Sequence, residues 1–405
     1  MSCTSVLNTD IIWLVLQHAA YTGDSWDYRT LRACCCVSSE WYPLAKRMLF
    51  RFIILRDRRQ VRILRRTRGK HLQMGPNAPF GRPGPDVSTP RDIWEAQTRI
   101  LECHWSDDFL FNDIYNALAL FPSLYEVRVK IHVYEGPRAN QDDSLLPIPS
   151  TIRAVRFTGS TILTENQNFT AASYFTSTLS KYARLTCLQV ERIWILPHLQ
   201  FPRLFQSIQV NELTFLELEI SEWHDYLSGG CFGNLLYLIL HQKSELGEWA
   251  TPHHTAGVFK RVKSLTVFYH SHVTSPERVP LLPRLSETFP ALTELRLGIR
   301  VFHLQLSILA LLFSQIPSGV ISLSLFISAN SYTRVRLTEP APGDSPTLPP
   351  NLRYFEYGIE FSAGAHTLDL SVIRPLLDAC ESMGVQLLPT RLYEMTGVVS
   401  IPLII

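Results

Sequence analysis

The chain has 405 residues, a formal net charge of +2 and 46% hydrophobic residues. That length supports two domains with a sizeable core, and the near-neutral balance excludes a chain that behaves as a polyelectrolyte throughout. Eight cysteines, three of them consecutive at Cys34, Cys35 and Cys36, do not make a disulfide framework and point to a reducing compartment.

Residues 1–55 read as a compact helical unit. Asn8 to Ala20 carries Ile11, Leu14, Val15 and His18 at helical spacing. Asp10 precedes the apolar run and no basic segment does, so a secretory signal is not expected there. No apolar run approaches the roughly 20 residues needed to span a bilayer. Arg29 to Glu40 is a second helix, and Pro43 suits the first turn of a third. Ile11 to Leu16 covers nearly every side of the first helix, so something outside this unit must cover part of that surface.

The same segment resembles the F-box, a short three-helix module. The family pattern opens with Leu-Pro-x-Glu-Ile and later an Ile-Leu pair. This chain has Leu7-Asn8-Thr9-Asp10-Ile11, then Val15-Leu16. Asn8 stands where the family has Pro, and Asp10 where it has Glu. The second half of the pattern matches Leu31, then Val37-Ser38-Ser39-Glu40-Trp41, followed by Leu44-Ala45 and Leu49-Phe50-Arg51. The resemblance implies docking on the small adaptor subunit of a cullin–RING ubiquitin ligase. It implies that Leu7, Ile11, Leu31, Val37, Trp41 and Leu44 are contacts or their immediate supports.

Residues 56–115 read as a basic segment, a Pro/Gly-rich loop and a connecting helix. Arg58, Arg59, Arg62, Arg65, Arg66, Arg68 and Lys70 face only Asp57. This cluster lacks interleaved aromatics and reads as a solvated connecting helix, so nucleic acid is not expected as a partner. Arg65 to Lys70 also fits a nuclear-import signal. Residues 74–92 hold Pro76, Pro79, Pro83, Pro85 and Pro90, which excludes helix and strand. Ile93 to Cys103 reads as helical.

Residues 116–405 carry nine copies of one pattern: an apolar residue, two of any type, an apolar, one of any type, an apolar. The copies begin at Leu124, Ile152, Leu185, Leu213, Leu235, Val262, Leu292, Val320 and Leu352. The gaps are 28, 33, 28, 22, 27, 30, 28 and 32 residues, the length of one strand and one return segment. Positions four and six lie on one face of a strand, and the residue between them lies on the other. This predicts an α/β solenoid with a parallel sheet, apolar inside and variable outside. Leu368 to Met383 reads as a helix capping its end.

The repeats resemble the leucine-rich-repeat family over about Leu120 to Tyr357. The family's Asn or Cys, three places after the last apolar position, is replaced here by residues such as His132, Ser160, Ser221 and Arg300. A ladder of Asn side chains therefore cannot brace the turns, and an irregular arc is expected. The resemblance implies a target-binding outer, concave face. Its expected residues are Arg128, Arg156, Phe215, Glu217, Tyr237, Phe268, Arg296, Phe326 and Tyr354.

An enzyme is not expected. The chain has no Gly-rich phosphate loop, no Gly-x-Ser-x-Gly and no His-Glu-x-x-His. His253, His254, His270 and His272 lack metal-ligand spacing, so neither metal nor cofactor is expected. The two resemblances together imply a cytoplasmic or nuclear substrate receptor of a ubiquitin ligase, similar to the divergent receptors that many fungi carry. It would hold an unknown protein target on its repeats and would have no membrane partner. A repeat scaffold that binds proteins without ligase recruitment is the alternative.

Overall fold

The computed structural model describes residues 9–22, 25–73, 97–106, 109, 111–132, 148–160, 167, 170–173, 176, 184–195, 212–220, 232–242, 259–273, 285–301, 310, 312–329, 347–361 and 374–389. The chain divides into two compact units, residues 1–184 and 185–405.

The first unit opens with three helices: α1 (Thr9–Ala20), α2 (Tyr28–Cys34) and α3 (Trp41–Arg51). A short antiparallel pair, β1 (Tyr21–Thr22) and β2 (Ser25–Trp26), joins the first two. Asp27 starts α2 by accepting hydrogen bonds from the Thr30 amide at 2.9 Å and the Thr30 hydroxyl at 2.6 Å. The sequence predicted a longer second helix. It stops at Cys34 because Val37, Ser38 and Ser39 follow, types that lose rotamer freedom or compete for backbone hydrogen bonds in a helix. Ser38 accepts from the Trp41 amide at 3.3 Å instead, at the start of α3.

The helices bury Ile12, Leu16 and Ala20 against Leu31, Ala45 and Met48. The stripe read from the sequence, Ile11, Leu14, Val15 and His18, lies outside that core. A helix apolar on all sides offers several stripes at equal spacing, and packing on α2 and α3 selects one. After α3 the chain enters β3 (Phe52–Leu55), then α4 (Arg58–Gln73).

The expected helix over 93–103 is a strand in its second part: β4 runs from Ile100 to Trp105. With β5 (Glu126–Ile131) and β6 (Ala154–Thr158) it forms a parallel sheet in the order β3-β4-β5-β6. Helix α5 (Phe111–Leu118) lies between β4 and β5 in the chain. It turns Phe111, Ile114 and Leu118 into the core, with the Phe111 ring 5.5 Å from that of Trp105.

The second unit continues the same plan. Its strands are β7 (Cys187–Ile195), β8 (Phe215–Ile220), β9 (Tyr237–Gln242), β10 (Ser264–Val273), β11 (Glu294–Val301), β12 (Ser322–Ala329), β13 (Tyr354–Phe361) and β14 (Gln386–Pro389). They pair parallel in chain order. A short helix, α6 (Leu285–Thr288), precedes β11, and α7 (Arg374–Ser382) precedes β14. Each predicted repeat supplies one strand, which begins at its third position. Strands β3, β4 and β14 lie outside the nine copies. In β4 the pattern is hidden because Thr98 stands at position one, where it is fully buried and donates its hydroxyl to the Phe50 carbonyl at 2.9 Å.

Two recurring contacts hold successive strands in step. The carbonyl of the residue before most strands accepts two amides from the next repeat. Tyr125 receives Arg153 and Ala154, Thr214 receives Leu236 and Tyr237, and Thr293 receives Ile321 and Ser322, all at 2.8–3.1 Å. Three residues before several repeats stands a Phe or Pro whose carbonyl closes a turn onto position one: Phe121, Phe232, Phe259, Phe289, Pro317 and Pro349. Phe232, Phe259 and Phe289 are buried and stack in file, with ring centroids 5.6 Å and 5.2 Å apart. This aromatic file braces the turns where no Asn ladder is available.

Phe259 is flanked by rings on both sides, so Phe259→Ala is expected to cost about 3–5 kcal/mol. Tyr237→Ala, on the exposed outer face, is expected to cost below about 1 kcal/mol. Urea denaturation of the full chain, followed by circular dichroism, compares the two.

Candidate functional site

Two surfaces concern function: the outer face of the sheets and the exposed side of the N-terminal helices. On the strands, side chains at positions four and six point inward and are buried, as with Val127 and Val129 or Leu216 and Leu218. Positions three, five and seven stand on the outer face in aligned rows.

In the first unit the outer row ends in a linked polar group. The Glu102 carboxylate meets His104 Nε2 at 3.1 Å and the Lys130 ammonium at 2.9 Å. Because the carboxylate accepts, His104 Nε2 donates to it. His132 Nε2 lies 3.1 Å from His104 Nδ1, with the rings stacked 5.0 Å apart. Burial alone would raise the Glu102 carboxyl, but the hydrogen bonds and charges of His104 and Lys130 hold it down at about 2. Burial, then the neighbouring His104 and Lys130, depress His132. Beside this group, Arg128 donates to Glu126 at 2.6 Å and lies over the Phe52 ring at 5.3 Å. Arg156 pairs in register with Arg128 on the next strand and is half-buried.

In the second unit Glu217 is the hub. Gln189 donates to its Oε2 at 2.7 Å, and His241 Nε2 lies 3.1 Å from its Oε1. All three are buried. The His241 ring stacks on Phe268 at 4.9 Å. Glu219 accepts from the Arg192 backbone amide at 2.5 Å. Arg192 holds the left-handed conformation, φ 56°, at a bulge in β7 between Gln189 and Trp194, which turns its amide toward that carboxylate. Burial is the main influence on the Glu219 carboxyl and raises it. Gly298 makes room for the aromatic part of this row: a Cβ there would lie 2.5 Å from Phe268 Cδ1.

The expected target-facing residues therefore fall into three conditions. Tyr237, Arg296 and Tyr354 are exposed. Arg128, Arg156 and Phe268 are half-buried, and Phe215, Glu217 and Phe326 are buried within the row. Phe215 lies behind Tyr237, their rings 6.4 Å apart. Glu102 and His104 were not among the residues expected here, because their strand carries Thr98 at its first position. Among the described residues, no three His, Cys, Asp or Glu side chains gather as metal ligands. His253 and His254 lie outside the described residues.

On the N-terminal helices, Ile11, Leu14 and Val15 share one face of α1 and are 47%, 62% and 46% exposed. Val37 and Tyr42 are 60% and 48% exposed in the same three-helix unit. Leu31 is fully buried, while Trp41 and Leu44 are half-buried, so these three support the surface more than they form it. Arg47 lies over the Trp13 ring at 5.9 Å. Leu7 lies outside the described residues.

A scan against protein-family models gives no match, and a search of curated proteins finds no similar sequence. Among the described residues, no helix is long and apolar enough to cross a membrane.

Two outcomes check this description. The folded Glu102 carboxyl, at about 2, lies below its ordinary value of 4.5, so the stability it contributes is present above that ordinary value and is lost as pH falls through the folded one. Glu102→Gln should therefore melt below the parent chain at pH 7, with the difference closing between about pH 4.5 and pH 2. Separately, Gly298→Ala should destabilise by about 1–3 kcal/mol by driving the Phe268 ring aside. In a Phe268→Ala background the same change should cost almost nothing, a coupling that a double-mutant cycle measures.

Proposed function

We propose that this protein is a substrate receptor of a cullin–RING ubiquitin ligase, with an F-box-like N-terminal unit and leucine-rich-repeat-like strands. The observation that carries the reading is the apolar face of α1. Ile11, Leu14 and Val15 are exposed, as are Val37 and Tyr42 in the same three-helix unit, while the unit already has a core of its own in Ile12, Leu16, Leu31, Ala45 and Met48. A contiguous set of large apolar side chains on one helix face is costly in water and is suited to a partner. The resemblance of Leu7 to Leu55 to the F-box pattern supports the adaptor subunit as that partner, and through it a cullin.

The outer rows of the sheets would hold the target. Their charges are fixed by hydrogen bonds before any partner arrives, which lowers the ordering cost of binding. Exposed Tyr237, Tyr354 and Arg296 are of the types that anchor protein interfaces. The mechanism is proximity: the target is held near a ubiquitin-charged enzyme, which raises the effective concentration of its lysines. This chain then needs no catalytic residue, and its place of action is the cytoplasm or nucleus.

The test is a pull-down of the full chain with purified adaptor, beside a Leu14→Arg, Val15→Arg variant and a Tyr237→Ala, Tyr354→Ala variant. The parent and the tyrosine variant should bind the adaptor, and the α1 variant should lose binding at least tenfold while keeping its circular dichroism and melting temperature. Equal binding by the α1 variant, or none by the parent, would exclude the ligase reading. A scaffold that holds proteins on its sheet face without recruiting a ligase would then remain.

A further inference from the structure

Helix α4 presents a surface that the docking reading does not use. Arg58, Arg59, Arg62, Arg65 and Arg66 are all exposed. Their spacing of three, four and seven residues places them along one side of the helix, at steps of about 5–6 Å. The opposite side is anchored by Val61, which is 3% exposed, and by half-buried Leu64. Arg58 is paired, its Nε 3.1 Å from Asp113. Among the described residues, Arg59, Arg62, Arg65 and Arg66 have no acidic partner.

Three features set this stripe apart from an ordinary solvated face. The first turn holds Arg58 and Arg59 and no acid, so two cations sit at the positive end of the helix dipole, where they oppose helix formation. The one acid in the segment, Asp57, caps the helix through the Gln60 amide at 2.8 Å and, among the described residues, forms no ion pair with these arginines. All five cations are arginine, whose planar fork suits bidentate contact with phosphate. A helix that binds a membrane surface also needs an exposed apolar face. Here the apolar positions Val61 and Leu64 are turned to the protein, and among the described side chains of the helix Ile63 is the one exposed apolar residue. The surface offers repeated positive charge and little else.

We infer that the arginine face of α4 binds the phosphodiester backbone of nucleic acid, without reading its sequence. The contact stands independently of the ligase reading. Phosphate contacts fix position and carry no base information, which fits a face without aromatic or amide side chains beside the arginines. Interleaved aromatics, whose lack in the sequence argued against nucleic acid, serve base stacking and are not needed for backbone contact.

The experiment is fluorescence anisotropy of the full chain with a labelled 20-base-pair duplex and a labelled 20-nucleotide RNA, at salt from 50 to 200 mM. Four released counterions predict a slope of log K against log salt of about −3.6 on the duplex, a loss of roughly a hundredfold across that range. The variant Arg59→Gln, Arg62→Gln, Arg65→Gln, Arg66→Gln should lose most of the affinity and flatten the slope. The same four positions changed to Lys should keep most of it, which separates lost charge from lost folding. Absence of binding to both probes, a slope near zero, or an unchanged slope in the Gln variant would overturn the inference. Binding to phosphatidylserine vesicles with neither nucleic acid bound would overturn it in favour of a membrane surface.

Discussion

The shared acceptor at the start of most strands is the constraint on which the rest of this structure depends. One carbonyl, on the residue before the strand, receives two amides from the repeat that follows. Each such strand is thus fixed in register at its first residue, before side chains contribute. A one-residue slip would turn every inward leucine to the outside. Register set at that end explains why start-to-start gaps from 22 to 32 residues are tolerated within the second unit: the ladder is aligned by its starts and does not depend on the lengths between them.

The turns before the strands complete that arrangement. Phe232, Phe259 and Phe289 close their turns through the backbone and stack through their rings. The same residues thereby shape each turn and join it to its neighbours. Aromatic contact needs no hydrogen-bond partner, so it tolerates the Ser, His and Arg that stand at the positions where a buried Asn ladder would be required.

Alignment of the strands also produces the polar rows. Parallel in-register pairing sets position five of one repeat beside position five of the next, about 4.8 Å away. At that distance complementary neighbours hydrogen-bond and like charges repel. Gln189 and Glu217 meet in this way, as do Glu217 and His241 one row apart, and Glu102 with Lys130 in the first unit. The outer face is consequently a network of mutual restraints, with Tyr237, Arg296 and Tyr354 projecting from it. The helical part of the first unit follows a different logic. There the apolar face of α1 and the arginine face of α4 are left uncovered by the packing that buries Ile12, Leu16 and Val61.

The strand positions were legible in the sequence because a strand with one buried face must alternate, and nine copies of the apolar pattern do so. The chain order of the parallel strands followed from the similar spacing. Residues 98–105 were not legible, since a buried threonine satisfied by the Phe50 carbonyl takes the place of the first apolar residue, and that bond exists only once β3 and β4 pair. Nor could the sequence choose between Ile11, Leu14, Val15 and Ile12, Leu16, Ala20 as the inner stripe of α1, for each recurs at helical spacing. Residue types and their period are local properties and determined the elements. Which side of a helix is covered, which glutamate finds a histidine, and which arginines stay unpaired depend on neighbours distant in the chain, and only tertiary packing decided them.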